Sequence, residues 1–226
     1  MYQLNKGNSF GLKRASQTFP SELLLKILGT KEAYTAGHFE FPAPQETRRG
    51  NHLDAIYVAD PIVKHNEFVD AIVADILLWI EREKIEFDVV LSLSQESARK
   101  IVAALCSKLN KKAAYLAYFP SGWLGGKIVE GQLQKGDRVL IFAPVDQTGR
   151  TIGETIPKFT EQNGGTVAGI AAFCKGTAGG VITAEHKFGK KFYSSIQAHI
   201  AVHSAAECPA CKIENAEKLR PWTDLA

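Results

Sequence analysis

Thr148, Gly149, Arg150 and Thr151 carry the clearest chemistry in this sequence. They follow the stretch Arg138-Val-Leu-Ile-Phe-Ala-Pro-Val-Asp146. Val139, Leu140, Ile141 and Phe142 form an unbroken apolar run, as a strand buried on both faces does. A strand, a Thr/Gly turn and a helix start together make an anion pocket. The first amides of a helix lack intrahelical partners, and the helix dipole favours negative charge there. Arg150 could fork onto a phosphate, or serve as a solvated side chain at a helix start. A capped turn without ligand would use the same residue types. Asp146 is the one carboxylate in the loop. It reads either as a ligand for a ribose or metal, or as a turn residue bonding its own backbone.

A second constellation lies near the C-terminus. His199, His203, Cys208 and Cys211 give His-x3-His-x4-Cys-x2-Cys, four ligand types that Zn2+ accepts. Read as one strand over 192–202, the chain would place the two histidines on one face. A purely structural tail is the alternative. A thioredoxin-type redox role is disfavoured, because this C-x-x-C does not open a helix after an early strand. Cys106 and Cys174 read as small buried hydrophobes. Phe39 and Phe41 alternate in a short strand, where they could stack on a base or simply fill the core. His38, just before them, reads as structural. Arg48 and Arg49 could hold an anion, or belong to a polar surface loop.

The elements that must position these residues follow from periodicity. Ser21 is expected to cap a helix through Leu28, ended by Gly29. Strands are expected at 37–41 and 53–58, after which Asp60-Pro61 turns the chain. A long helix from Asn66 carries Val69, Ile72, Val73, Ile76 and Ile80 on one face. Strand 87–93, a helix through Ile101, Val102, Leu105 and Leu109, and strand 113–119 follow. Residues 120–126 read as a loop. Beyond Thr151 the helix contains Gly153 and Pro157, which predict a late start or a kink. Strand 166–174, a loop over 176–180 and strand 192–202 complete the chain. Buried strands alternating with helices predict a parallel sheet covered on both faces, with ligands beyond the carboxyl ends of the strands.

The chain has 226 residues, 45% hydrophobic and 23% charged, ordinary for a globular domain with a sizeable core. A net charge of +3 argues against nucleic acid or a membrane surface as partner. No apolar run approaches the roughly 18 residues that span a bilayer, and Met1-Tyr-Gln-Leu-Asn-Lys-Gly-Asn8 has no signal-peptide core. A cytoplasmic location is expected.

Several stretches together resemble the type I phosphoribosyltransferases, orotate phosphoribosyltransferase in particular. The turn matches at Thr148, Gly149 and Thr151. Gly37-His38-Phe39-x-Phe41 is similar to the hood segment that packs on orotate. Phe87-Asp-Val-Val-Leu-Ser-Leu-Ser94 sits where the family has the strand leading to its pyrophosphate loop. Gly125-Gly126-x-x-Val129-x-Gly131-x-Leu133, followed by Gly136, is similar to the tail of the family's catalytic loop. Gly164-Gly-Thr-Val-Ala-Gly169 and Glu207-Cys-Pro-Ala-Cys-Lys212 match later segments. The resemblance implies an α/β fold with a mostly parallel central sheet, helices on both faces and a small N-terminal hood. Residues 1–60 would form the arm and hood, 61–205 the core and 206–226 a tail with the C-x-x-C. It also implies a homodimer.

The departures from the family are consistent with one another. The family's acidic pair, which holds the ribose hydroxyls of phosphoribosyl pyrophosphate (PRPP), falls on Ala143 and Pro144. Its Lys-Gly in the pyrophosphate loop is Glu96-Ser97 here. Its Lys/Arg-rich catalytic loop corresponds to Tyr118-Phe-Pro-Ser-Gly-Trp-Leu-Gly-Gly126, which has no basic residue; Lys127 is the nearest cation. Its Ser-Gly motif after the hood strand is replaced by residues 42–50. Pyrophosphate departure concentrates negative charge that Mg2+ and basic side chains normally stabilise. The expectation is a protein that binds a phosphorylated ribose or nucleotide, with transferase activity lost or altered. An active orotate phosphoribosyltransferase of pyrimidine nucleotide synthesis is the alternative; it would need Mg2+ with Asp146 and Lys127 in catalytic roles. A regulatory or structural subunit with an empty pocket is the third reading.

Overall fold

Val139, Ile141 and Ala143 face one core, and Leu140 and Phe142 the other. This two-residue alternation in the central strand organises the molecule. The computed structural model describes residues 12–40, 51–118, 124–213 and 219–221. Its main sheet has seven strands: β1 (Lys13–Arg14), β4 (Val89–Leu93), β5 (Lys112–Tyr118), β6 (Leu124–Glu130), β7 (Arg138–Asp146), β8 (Thr166–Lys175) and β9 (Phe192–Gln197). Their order is β1-β9-β8-β7-β4-β5-β6. The five inner strands are mutually parallel, and β1 and β6 close the edges antiparallel. The carboxyl ends of β4 and β7 therefore lie on one edge, as expected.

Two helices cover one face: α3 (Asn66–Arg82) and α4 (Glu96–Leu109). Ile72, Val73, Ile76, Trp79, Ile101, Val102 and Leu105 pack there on Val90, Leu140 and Phe142. The opposite face holds Ile152 and Ile156 against Val89, Leu91, Val139, Ile141 and Ile170. Ile156 opens α5 (Ile156–Gln162). Trp79 is 1% exposed, stacks on Tyr193 with centroids 5.1 Å apart, and donates its indole N–H to the Lys190 carbonyl at 3.0 Å. Gly169 makes room for it, since a Cβ there would come within 3.1 Å of the indole.

A second sheet forms the hood, in the order β10-β3-β2-β11. It comprises β2 (Tyr34–Glu40), β3 (Asn51–Tyr57), β10 (Val202–Ser204) and β11 (Arg220–Pro221). Phe39, Leu53, Ile56 and Tyr57 belong to the same apolar cluster as α3 and α4, so the hood is continuous with the core. The C-terminal segment pairs into the hood through β11. The N-terminal arm in turn pairs with β9 of the main sheet.

Five local expectations change. Helix α1 (Ser21–Gly29) does begin at Ser21, but Pro20 precedes it and no side chain caps it. Residues 124–126, expected in a loop, begin β6. The expected strand 192–202 stops at Gln197, and the chain crosses to the other sheet as β10. A helix, α6 (Gly179–Phe188), occupies a stretch where none was expected. Its Gly-Gly start and its Val, Ile and Thr are weak helix formers, so packing rather than propensity makes it. A short helix, α2 (Asp60–Val63), stands where Asp60-Pro61 reads as a turn. The kink expected beyond Thr151 is a π-turn over Thr151–Thr155, which places Pro157 in the first turn of α5.

Trp79→Ala should lower unfolding stability by about 3–5 kcal/mol, read as a lower urea midpoint, because it empties the space between α3 and β9.

Candidate functional site

Strand β7 ends at Asp146 on the carboxyl edge of the sheet, and the chain turns there. Asp146 is buried, and its Oδ1 accepts the Gly149 N–H at 3.2 Å. Gly149 has φ +80°, a conformation that favours glycine. Space demands it as well: a Cβ would lie 2.1 Å from the Gly180 carbonyl carbon and from the Val181 nitrogen. A Cβ on Gly180 would meet the Thr148 oxygen at 2.2 Å, and one on Gly176 the Gln147 oxygen at 2.2 Å. The turn is thus packed backbone on backbone against the loop that opens α6. The Gly176 N–H donates to the Asp146 carbonyl at 2.7 Å, and the Gly153 N–H to the Gly149 carbonyl at 2.9 Å. The half-buried residues Thr148, Arg150 and Thr151 stand at this edge. Arg150 pairs with Glu154 at 3.9 Å, a partly exposed contact worth little.

Neither a family model nor a curated protein matches the sequence. Solved structures do. Orotate phosphoribosyltransferase from Aeropyrum pernix superposes at TM-score 0.55 with 17% identity, over 78% of this chain and 93% of that one. Adenine phosphoribosyltransferase from Thermoanaerobacter pseudethanolicus gives 0.50 and 19%, over 63% and 88%. UMP synthase from Leishmania donovani gives 0.52 and 19% over 73% of this chain, which spans 33% of that longer protein. The chain has the type I phosphoribosyltransferase fold.

Within that fold, the departures seen in the sequence have structural counterparts. Ala143 is fully buried against the α5 face, and Pro144 is buried beside it. Neither side chain offers an oxygen, and the Asp146 carboxylate is turned onto Gly149. This edge of β7 therefore does not fit Mg2+ in the way the family's acidic pair implies. At the neighbouring strand end, the Ser97 N–H at the start of α4 donates to the Asp60 carboxylate at 3.0 Å. Glu96 pairs with Lys100 at 3.0 Å, and the Ser94 hydroxyl accepts the Tyr118 N–H at 3.0 Å. Burial, then Asp60, push the Tyr118 hydroxyl well above its usual range. Two amides on the ligand edge, at Gly149 and Ser97, are thus bound to the chain's own carboxylates. Asp60 was not legible as a functional residue, because Asp60-Pro61 reads as a turn.

The other candidates are placed as follows. Lys127 is exposed on the edge strand β6, three strands from β7 and so roughly 14 Å away within one chain. Phe39 is 0% exposed and lies in the core, so it does not present its ring to a base. Its apolar area is worth more buried than exposed at an edge. Phe41, Arg48 and Arg49 lie outside the described residues.

The zinc-type residues assemble differently from the expectation. Cys208 and Cys211 converge not on His199 and His203 but on His38 of β2 and His52 of β3. All four donor atoms lie within 4.8 Å of one another. His199 is exposed and contacts Thr177 at 3.4 Å. His203 is half-buried on β10, directly opposite His52 in the ladder. The reason is the break after Gln197: the two histidines do not share a strand. His38 reaches the cluster through a β-bulge in β2. Ala36 pairs with Ala55 and Phe39 with Leu53, so three steps on β2 oppose two on β3. Without the extra residue, Phe39 would stand opposite His52. With it, Phe39 turns into the core and His38 shares the face of His52. Burial, then the nearby His38 charge, lower the pKa of His52.

Gly149→Ala should destabilise the protein by about 1–3 kcal/mol in chemical unfolding, through both the positive φ and the clash with α6. Gly136→Ala, also at positive φ but with nothing within 4 Å of a Cβ, should cost less.

Proposed function

We propose that this protein binds a phosphorylated ribose or nucleotide at the 148–151 turn and that its transferase chemistry is lost or altered. The observation that carries the reading is the turn itself. It lies at the carboxyl edge of the central strand of a phosphoribosyltransferase fold, opens a continuous helical segment over 150–162, and carries two threonines and an arginine. Hydroxyls, helix-start amides and a guanidinium are the groups that hold a phosphomonoester. The altered chemistry rests on Ala143, Pro144 and the two internal carboxylates. Each lost electrostatic stabiliser of a departing pyrophosphate raises a barrier by about 3 kcal/mol. Asp60 and Asp146 go further, because they put negative charge where PRPP would bring more.

The test has two arms. Purified protein with PRPP, Mg2+ and orotate should release no pyrophosphate at an enzymatic rate. Titration calorimetry with ribose 5-phosphate and nucleoside monophosphates should show binding that Thr148→Ala or Arg150→Ala weakens about tenfold. Turnover that disappears in Thr148→Ala would establish the active-transferase reading instead. Absence of both turnover and binding would leave the regulatory subunit with an empty pocket.

Asp146→Asn keeps an acceptor for the Gly149 N–H and removes the charge. It should tighten ribose 5-phosphate binding several-fold, with the larger gain at low salt.

A further inference from the structure

We propose that His38, His52, Cys208 and Cys211 form a structural zinc site. The site does not depend on the phosphate turn or on any transferase activity.

The geometry leaves hydrogen bonding a poor explanation of the cluster. His38 Nε2 lies 2.9 Å from His52 Nδ1, 3.3 Å from Cys208 Sγ and 3.5 Å from Cys211 Sγ. Cys211 Sγ is also 3.2 Å from His52 Nδ1. One ring nitrogen carries at most one proton, yet three donor atoms crowd it. Four lone-pair donors facing a common point describe a cation site. Zn–S bonds of about 2.3 Å and Zn–N bonds of about 2.05 Å at tetrahedral angles place the ligand atoms about 3.3–3.8 Å apart. These four separations fall within about half an ångström of that frame, and no two of the four donor atoms are more than 4.8 Å apart.

The donor set selects the metal. Two imidazoles and two thiolates in tetrahedral array suit zinc, and four protein ligands make the closed shell of a structural site. Two thiolates also balance the charge of the ion, which matters because His38, His52 and Cys208 are each no more than 5% exposed. The chain positions the ligands from three elements. His38 and His52 stand on facing strands of the hood, aligned by the bulge in β2. Cys208 and Cys211 sit at a turn and the 3-10 segment Ala210–Lys212. The ligands are far apart in sequence: 170 residues separate His38 from Cys208, and 159 separate His52 from Cys211. The ion would therefore clamp the C-terminal segment onto both hood strands that flank residues 41–50.

The experiment uses the full chain without an affinity tag, prepared under reducing conditions. Elemental analysis should find about one zinc per chain. Co2+ added to the apoprotein should give the visible bands of a tetrahedral thiolate complex, displaced by zinc. Removing the metal should lower Tm by about 10 °C or more. Cys208→Ser, Cys211→Ser and His52→Asn should lose the Co2+ bands, whereas His199→Asn and His203→Asn should keep them. Where a ligand variant fails to fold, zinc protection of wild-type Cys208 and Cys211 against alkylation supplies the same readout. The proposal is overturned if folded, reduced wild-type protein takes up neither zinc nor Co2+. It is equally overturned if binding follows His199 and His203 rather than His38 and His52, or if Cys208 and Cys211 are joined in a disulfide whose reduction restores no metal uptake.

Discussion

Everything near the ligand edge depends on the burial of β7 on both faces. A strand packed between two helical layers must be apolar at every position the layers cover. Here that cover extends through Ala143, which is fully buried in the α5-side core. An ionised carboxylate at that position would have to be solvated or paired, and the apolar surroundings supply neither. Proline at 144 is tolerable for a related reason. The ladder from β4 pairs only through Ile141, so Pro144 stands beyond it, where a missing N–H removes no bond to that strand. Ala143 and Pro144 are therefore both compatible with how the strand ends.

The same edge shows how amides at turns and helix starts find acceptors within the chain. Helix starts and tight turns carry amides that need acceptors. In a phosphate-binding protein, ligand oxygens supply some of them. Here Asp60 serves Ser97 and Asp146 serves Gly149. Each carboxylate satisfies an amide at this edge and would repel an incoming anion. Two such groups, one at the start of α2 and one at the end of β7, would act together against a polyanion such as PRPP and much less against a single phosphate. Under the proposed function, that asymmetry favours a smaller phosphorylated ligand over a pyrophosphate donor. The glycine contacts at 149, 176 and 180 hold the turn against α6, so the cradle keeps its form whatever fills it.

How much of this was legible in the sequence depended on whether the determinant was local. The inner strands and the helices α3 and α4 announce themselves through unbroken apolar runs and helical spacing. The π-turn was foreshadowed by Gly153 and Pro157. Helix α6 was not, because Gly179, Gly180, Val181, Ile182 and Thr183 carry no helical preference and the element exists through its contacts. Phe39 read ambiguously, since alternation says which face a residue takes but not whether that face meets a ligand or a core. Asp60 was hidden because its partner, the Ser97 amide, is 37 residues away.

The histidine–cysteine cluster marks the boundary most sharply. C-x-x-C is a local signal, and it drew attention to Cys208 and Cys211. Spacing alone pairs them with the nearby His199 and His203. The partners the structure supplies depend on a single inserted residue in a hairpin. One residue more on β2 exchanges Phe39 for His38 on the face of His52. That one-residue shift decides two things at once: which aromatic ring enters the core, and whether the cysteines meet one imidazole or two. Register in a half-buried sheet is fixed by which side chains must be inside. The burial of Phe39 against Leu53 is thus what aims His38 at the cysteines, and the hydrophobic effect sets the coordination geometry before any ion is present.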